Sequence, residues 1–542
     1  MTVGPRRDSK WWGWGDPSHE AELDPGSLEL LREHLGDLRP WERPASIEEV
    51  EIPTTRALPA AIAETVGDAN VLDGHEDRVR HSTGSGYVDL ASRRSGRLEH
   101  APDAVVLPNG AEELEAVLAI CSREDVAIVP FGGGTSVVGG VEPRCGGRER
   151  LISLDLARLQ KVEIDRTSMT ATLGAGLRGP EAERQLNQQG FTLGHFPQSF
   201  EYATIGGFAA TRSAGQASSG FGRFDELVTS LRMIAPAGEL STLQTPHTAA
   251  GPSLRELALG SEGVLGVIPE VTVRVRPVAP SERYETWIAE SWEAGCEIVR
   301  ELAQAEALPD VIRISDEQET RFFLALSGPS GIAGSLFERY LSLRGVGGGC
   351  LMVIGFEGDQ QSIARRRQVV SRALRGGGAI YLGQAAGRSW KKGRYEGPYL
   401  RDTLLDAGAM VETLETSHTW SRLGELYAAV GRAISGAMAQ QGTPGIVLCH
   451  LSHAYPDGAS LYYTFVARRL PGEEIEQWRR VKTAACEAIV GAGGTITHHH
   501  AVGRDHLPYM KAEVGELGIE VLRAAKERLD PAGILNPGKL ID

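Results

Sequence analysis

The sequence predicts an α+β fold with more than one domain, on three observations. From about His100 onward, apolar runs of strand length alternate with segments of helical period, joined by glycine-rich turns. Three of those turns, Pro130–Ser136, Thr204–Ala214 and Gly260–Ile268, concentrate glycine together with hydroxyl side chains. The chain is also long, at 542 residues, for a single hydrophobic core.

Taken in order, residues 1–95 read as an N-terminal helical region. Trp11, Trp12 and Trp14 lie close enough together to form an anchoring cluster, and Pro25 to Leu38 is acidic and amphipathic. Residues 96–278 form the first α+β unit. Ala104–Leu107 and Val126–Val129 read as strands around a helix at Gly110–Arg123. Leu151–Leu154, Met169–Leu173, Leu227–Ala235 and Val271–Val275 continue the strands, and Pro277–Pro280 marks a boundary. Residues 279–490 read as a second α+β domain, a cap over the substrate. Its helices are expected at Glu293–Ala307 and Asp359–Leu374, and its strands at Val311–Ile314, Cys350–Phe356, Gly445–Leu451 and Leu461–Val466. The Gly345–Gly349 cluster reads as a surface loop. Residues 491–542 complete the site, with a helix at Lys511–Leu529 stopped by Asp530-Pro531.

A net charge of −15 argues against a nucleic-acid partner, which would call for a basic face. The six cysteines contain no Cys-x-x-Cys pair, so neither a zinc framework nor a disulfide scaffold is expected. No apolar leader follows Met1, no apolar run reaches membrane-spanning length, and Lys539-Leu540-Ile541-Asp542 is not a peroxisomal address. These features, with an Ala/Gly/Arg-rich composition, suggest a bacterial cytoplasmic enzyme.

Pro130-Phe131-Gly132-Gly133-Gly134-Thr135-Ser136 follows the strand Val126–Val129 directly. Glycines admit positive φ and close approach, so several N–H groups can converge on one anion while the hydroxyls donate further bonds. Such a turn suits a diphosphate; the alternative is a turn without a ligand. With Thr204–Ala214 and Gly260–Ile268, the loop resembles the FAD-binding domain of the vanillyl-alcohol oxidase superfamily. That resemblance implies a two-subdomain PCMH-type FAD-binding domain beneath the cap. It assigns the diphosphate to Pro130, Phe131, Gly132, Gly133, Gly134, Thr135 and Ser136. It assigns the isoalloxazine and adenosine to Gln198, Ser199, Thr204, Gly206, Gly207, Thr211, Arg212, Ser213 and Ala214, with Glu262, Gly263, Gly266, Val267 and Ile268. Some relatives attach flavin through a histidine in the first loop; Thr135 and Ser136 stand there, so the FAD is expected to be noncovalent.

Finer marks resemble the alkyldihydroxyacetonephosphate synthase family. They are Lys10-Trp-Trp-Gly-Trp-Gly15, Gly194-His-Phe-Pro-Gln-Ser199, Ile312-Arg-Ile-Ser-Asp316, Glu412-Thr-Leu-Glu-Thr-Ser417, Asp457-Gly-Ala-Ser-Leu-Tyr-Tyr463 and His498-His-His-Ala-Val-Gly503. They occur in the family's order along nearly the whole chain. The chain departs from the pattern at Gln198, where an aspartate is common, and its tail, Leu535–Lys539, resembles the wider superfamily.

The resemblance implies catalytic roles for Tyr462, His498, His499, His500 and Arg313, and substrate contacts at Arg401 and Thr413. Each has a plainer alternative. Tyr462 suits packing in an alternating strand, and Arg313 an ion pair with Asp316 or another carboxylate. Arg401 suits a surface helix, and Thr413 and Ser417 suit helix caps. The histidines suit a polar loop or a metal, although neighbours on an extended segment alternate faces, so at most two share an ion easily; no metal is expected. Tyr462 would deprotonate a fatty alcohol, which requires basic neighbours to favour its phenolate.

The implied reaction exchanges the acyl chain of acyl-dihydroxyacetone phosphate for a long-chain fatty alcohol through a flavin N5 adduct, without net redox. A homodimer with peripheral membrane contact is the expected form. Two other functions compete. An FAD-dependent D-2-hydroxy-acid dehydrogenase would carry Gly-Asp-Gly-Asn-x-His and a metal-binding histidine pair where this chain has Asp457–Tyr462 and His498–Val502. A noncatalytic flavin-binding lipid-handling protein is the other.

Overall fold

A computed structural model describes residues 8–21, 23, 25–327, 339 and 341–541. Its first sheet sets Ala104–Val106, Arg150–Asp155 and Val126–Phe131 side by side in parallel, with Val71–Leu72 antiparallel at one edge. Strands covered on both faces read as unbroken apolar runs, and Ala127, Ile128 and Val129 are fully buried. Helix Ala111–Arg123 packs there through Leu114, Val117, Leu118 and Cys121. The first glycine loop leaves the carboxyl end of Val126–Phe131, the end at which open parallel sheets receive ligands.

The second sheet is antiparallel, ordered Val162–Asp165, Thr170–Gly174, Val267–Arg274, Val228–Ala235 and Gly238–Ser241. The short helix Ile205–Ala210 lies near it, capped by Thr204, whose hydroxyl accepts from the Gly207 N–H at 3.3 Å. Gly206 lets that helix approach: a Cβ there would fall 2.6 Å from the Ala175 side chain.

The cap is a seven-stranded antiparallel sheet. Its order is Ile380–Gly383, Ser281–Ala289, Cys350–Gly358, Val311–Ser315, Ile446–Ala454, Gly458–Arg468 and Ala409–Thr419. Alternation along these strands divides their labour. Ile312, Ile314, Leu461, Tyr463 and Phe465 join the main core with helices Trp292–Gln304, Gln360–Gly376, Trp420–Gln440 and Glu474–Gly491. Arg313, Ser315, Tyr462 and Thr464 line a cavity instead.

The tail returns to the FAD-binding half. Ile128 N–H donates to the Ile534 carbonyl at 2.9 Å, and Asn536 N–H returns a bond to the Ile128 carbonyl at 2.8 Å. Lys539, wholly buried, donates to the Glu142 carbonyl at 2.6 Å.

The strands and helices expected from sequence are present with shifted ends, but others escaped it, among them strands Ser281–Ala289 and Ala409–Thr419 and helices Trp420–Gln440 and Glu474–Gly491. The strand Ala409–Thr419 buries Glu412 and Glu415, so its polar residues hide the alternation. The C-terminal helix runs Met510–Leu529 but is broken at Gly515, whose φ is 74°. The Pro25–Leu38 stretch forms a helix at Pro25–Leu35 that sends Leu31 and Leu35 into the cap core.

Candidate active site

A cavity of about 1100 Å³ lies between the glycine loops and the open face of the cap sheet. On the lower side the first loop is confined by neighbouring backbone. A Cβ on Gly133 would lie 2.5 Å from the Tyr202 carbonyl oxygen and 2.7 Å from Ala203 Cα. Gly134 has φ 54°, a conformation that side chains resist. Ser85 pins the loop from outside, its N–H donating to the Ser136 carbonyl at 2.6 Å and its hydroxyl to the Gly134 carbonyl at 2.9 Å. This support, from Thr83-Gly84-Ser85-Gly86, was missed by sequence reasoning, although its glycine–hydroxyl pattern repeats that of the loop it holds. The residues suit a diphosphate-bearing ligand: a glycine cradle that side chains would fill, and hydroxyls from Thr135, Ser136, Thr204, Thr211 and Ser213 on the same wall.

Of the residues assigned to FAD, all but Arg212 line this cavity. Arg212, at φ 49°, turns to an adjoining pocket of about 370 Å³, where its guanidinium donates to the Glu256 and Leu259 carbonyls at 2.6 and 3.0 Å. It ties the second glycine segment to the third. Gln198 donates to the Arg394 carbonyl at 3.1 Å. Glu262 accepts from the Val502 and Gly503 N–H groups at 2.8 and 2.7 Å, joining the third segment to the end of the histidine run.

Across the cavity Tyr462 is paired in the sheet with His450 on one side and Glu415 on the other. Its ring stacks on His450, with centroids 4.8 Å apart and planes at 16°. His500 meets it edge-on at 5.4 Å, and His499 lies at 6.1 Å. Burial pushes the Tyr462 phenol up to about 12, against the opposing hydrogen bond of Thr413. The basic neighbours do not bring the phenolate toward neutral pH, contrary to what the proton-transfer role seemed to require. Burial also lowers His499, and lowers His500 to about 3, which leaves the His500 ring neutral.

Arg313 reaches the cavity and is also paired. It donates to Glu319 and to His450 Nδ1, each at 3.0 Å. Asp316 instead accepts from the Glu319 and Cys449 N–H groups and from the Tyr427 hydroxyl. Burial opposes the charge of Glu319, yet Arg313 and His450 hold it at about 2. Arg401, on helix Gly397–Asp406, gives one N–H to the Ser85 carbonyl at 2.7 Å. Its buried Nε and Nη2 have no hydrogen-bond partner, and the Asp402 carboxylate lies 3.8 Å off. Arg401 borders the cavity, and these two nitrogens, covered as they stand, would meet a phosphate or carboxylate if the side chain turned outward. Thr413 and Ser417 sit within the strand Ala409–Thr419 rather than at helix ends, Thr413 on the cavity and Ser417 on the smaller pocket.

The three histidines divide. His499 and His500 line the cavity, whereas His498 faces the smaller pocket and its Nε2 pairs with the Tyr455 hydroxyl at 2.8 Å. Ring nitrogens of His453, His498 and His499 lie within 4.8 Å of one another. Protein groups already engage them: Ser218 on His453 Nδ1 at 2.6 Å, and His498 and His499 on each other's Nδ1 at 3.0 Å. Sequence reasoning passed over His450, Glu319 and His453, because only the folded cap, through strand pairing and the helix Glu317–Ser327, brings them to Tyr462 and the histidine run. Phe322, Leu351, Val353, Leu382, Leu448 and Val466 form an apolar stretch of the remaining wall.

Comparison with known proteins agrees with this layout. The profile described as FAD binding domain matches residues 102–244, and that of FAD linked oxidases, C-terminal domain, matches 279–540. The chain is 33% identical over 515 residues to alkyldihydroxyacetonephosphate synthase of Dictyostelium discoideum, covering 92% of this chain and 84% of that one. The chain belongs to the alkyldihydroxyacetonephosphate synthase family. The Trypanosoma brucei brucei member is 33% identical over 475 residues, 86% of this chain and 77% of its own length. A solved structure of an alkyldihydroxyacetonephosphate synthase superposes with a TM-score of 0.84 at 30% identity, covering 98% of this chain and 99% of its own. The chain is therefore an FAD enzyme, a transferase of the alkyldihydroxyacetonephosphate synthase type, with a PCMH-type FAD-binding domain under an α+β cap.

Proposed function

We propose that this enzyme forms the ether bond of ether lipids, exchanging the acyl chain of acyl-dihydroxyacetone phosphate for a long-chain fatty alcohol. One alcohol enters and one fatty acid leaves, so no electrons are gained or lost overall. The observation that carries this reading is the meeting, in one cavity, of the glycine cradle, an apolar wall and the Tyr462–His499–His500 group. A redox enzyme for small hydroxy acids has no need of so long an apolar surface.

Pro130–Ser136, Thr204–Ala214 and Glu262–Ile268 would hold FAD. When bound, the cofactor supplies a reactive ring nitrogen, N5, for covalent catalysis without net redox. Arg401, with two nitrogens that no protein group engages, turns outward to take the substrate phosphate. Arg313, fixed by Glu319 and His450, presents its charge at the sheet's centre. Tyr462 rests as a neutral phenol, so it accepts the alcohol proton only as its own proton passes to the neutral imidazole of His500. His499 and His500 remove a substrate proton and return it. The apolar wall holds the two long chains and keeps water from the reacting carbon.

Substrates with such chains reside in membranes, and the described residues include no helix long and apolar enough to cross one. Peripheral contact and a homodimer complete the proposal. Its test is mass spectrometry after incubating the holoenzyme with acyl-dihydroxyacetone phosphate and hexadecanol. Alkyl-dihydroxyacetone phosphate is the expected product. Flavin bleached anaerobically by D-lactate, D-2-hydroxyglutarate or glycolate, with no ether formed, would select a dehydrogenase instead.

A further inference from the structure

Glu415 lies in the strand Ala409–Thr419, directly opposite Tyr462, and its side chain is shut off from solvent. It lines neither cavity, so it has no route to substrate. Four donors converge on its carboxylate. Oε1 accepts from the Thr497 hydroxyl at 2.6 Å and from the His499 and His500 N–H groups at 3.1 and 2.8 Å, while Oε2 accepts from the His498 N–H. A buried carboxylate is costly unless its oxygens are filled, and here one segment of chain fills them. The same carboxylate lies 3.6 Å from His499 Nδ1 and 3.9 Å from His500 Nδ1. Ala501, at φ 74°, then turns the chain toward Glu262.

We propose that Glu415 is the positioning residue of this active site: its carboxylate folds the His498–His500 segment and aims His499 and His500 at Tyr462. The proposal rests on the reading above that Tyr462 and these histidines move protons. Nothing in the motif Glu412-Thr-Leu-Glu-Thr-Ser417 distinguishes Glu415 from Glu412, which instead accepts from the Trp478 indole at 2.7 Å on the other face of the sheet. Only the register between strands makes Glu415 the partner of the histidines.

The test uses FAD-loaded Glu415→Gln, which keeps the side chain's shape but replaces one acceptor oxygen with a donor. Turnover per bound flavin should fall about a hundredfold, the lower range for a misplaced acid–base group, with KM for acyl-dihydroxyacetone phosphate within twofold of wild type. Amide hydrogen exchange at His498, His499 and His500 should accelerate about tenfold while the rest of the cap stays protected. Undiminished turnover, or a loss confined to KM or to the fraction of enzyme that folds, would overturn the assignment. If Glu415→Gln fails to load FAD, Glu415→Asp decides, since it keeps the charge but withdraws it from the N–H groups. Reduced turnover at normal FAD content is expected for that variant, and wild-type turnover would overturn the proposal. Hydrogen exchange does not depend on the reaction. Wild-type enzyme that forms no ether would therefore refute the function, whereas unchanged exchange in the variant would refute the role of Glu415.

Discussion

Gly133→Ala should weaken FAD binding, by an amount that follows from the geometry of the loop. The added Cβ would lie 2.5 Å from the Tyr202 carbonyl oxygen and 2.7 Å from Ala203 Cα, both main-chain atoms. Ordinary contact needs about 3.5 Å, so the loop must retreat by about 1 Å. Ser85 holds that loop at Gly134 and Ser136 from the other side, which leaves the cofactor face as the direction of escape. Overpacking of this kind costs about 1–3 kcal/mol. Borne by the cofactor site alone, it becomes a five- to 150-fold rise in the FAD dissociation constant, at about 1.4 kcal/mol per tenfold. The assay is titration of deflavinated protein with FAD, followed by quenching of flavin fluorescence. Gly376→Ala is the control, at a helix end with nothing within 4 Å of an added Cβ, and should bind FAD normally. Equal affinity in Gly133→Ala and wild type would refute the placing of the diphosphate on this loop.

Three further outcomes follow. Tyr462→Phe should lower ether formation by about 10²–10⁴-fold and leave the flavin spectrum intact; loss of colour would make the hydroxyl structural instead. Acid precipitation should give a yellow supernatant, because Thr135 and Ser136 offer no histidine for attachment, and a yellow pellet would contradict noncovalent binding. Dialysis against EDTA should leave turnover unchanged, since the Nδ1 atoms of His453, His498 and His499 already have protein partners; loss of activity restored by zinc would contradict this.

The glycine loops were legible in sequence because their chemistry is local: a strand, then glycines, then hydroxyls, with no distant partner needed to recognise them. The histidine run was legible as a motif, but its division was not. His498 turns away because Tyr455 takes its ring, and His499 and His500 face Tyr462 because Glu415 gathers their N–H groups. Those partners lie some 40 to 85 positions away in sequence, and strand register alone decides them. Arg313 illustrates the same limit. A carboxylate partner was foreseeable for a cation among apolar residues, yet the partner is Glu319, one turn into the next helix, and not the nearer Asp316. The missed cap strand Ala409–Thr419 carries buried glutamates that erase its alternation, and those glutamates were retained for the site and for the helix behind it.

The central claim is an exchange of acyl for alkoxy that consumes no oxidant, and anaerobic turnover tests it most directly. Holoenzyme in sealed, oxygen-free buffer with acyl-dihydroxyacetone phosphate and hexadecanol should release ether product and free fatty acid in equal amounts over many cycles, ending with its flavin oxidised. Turnover that halts after one equivalent, with reduced flavin accumulating until oxygen is admitted, would contradict it.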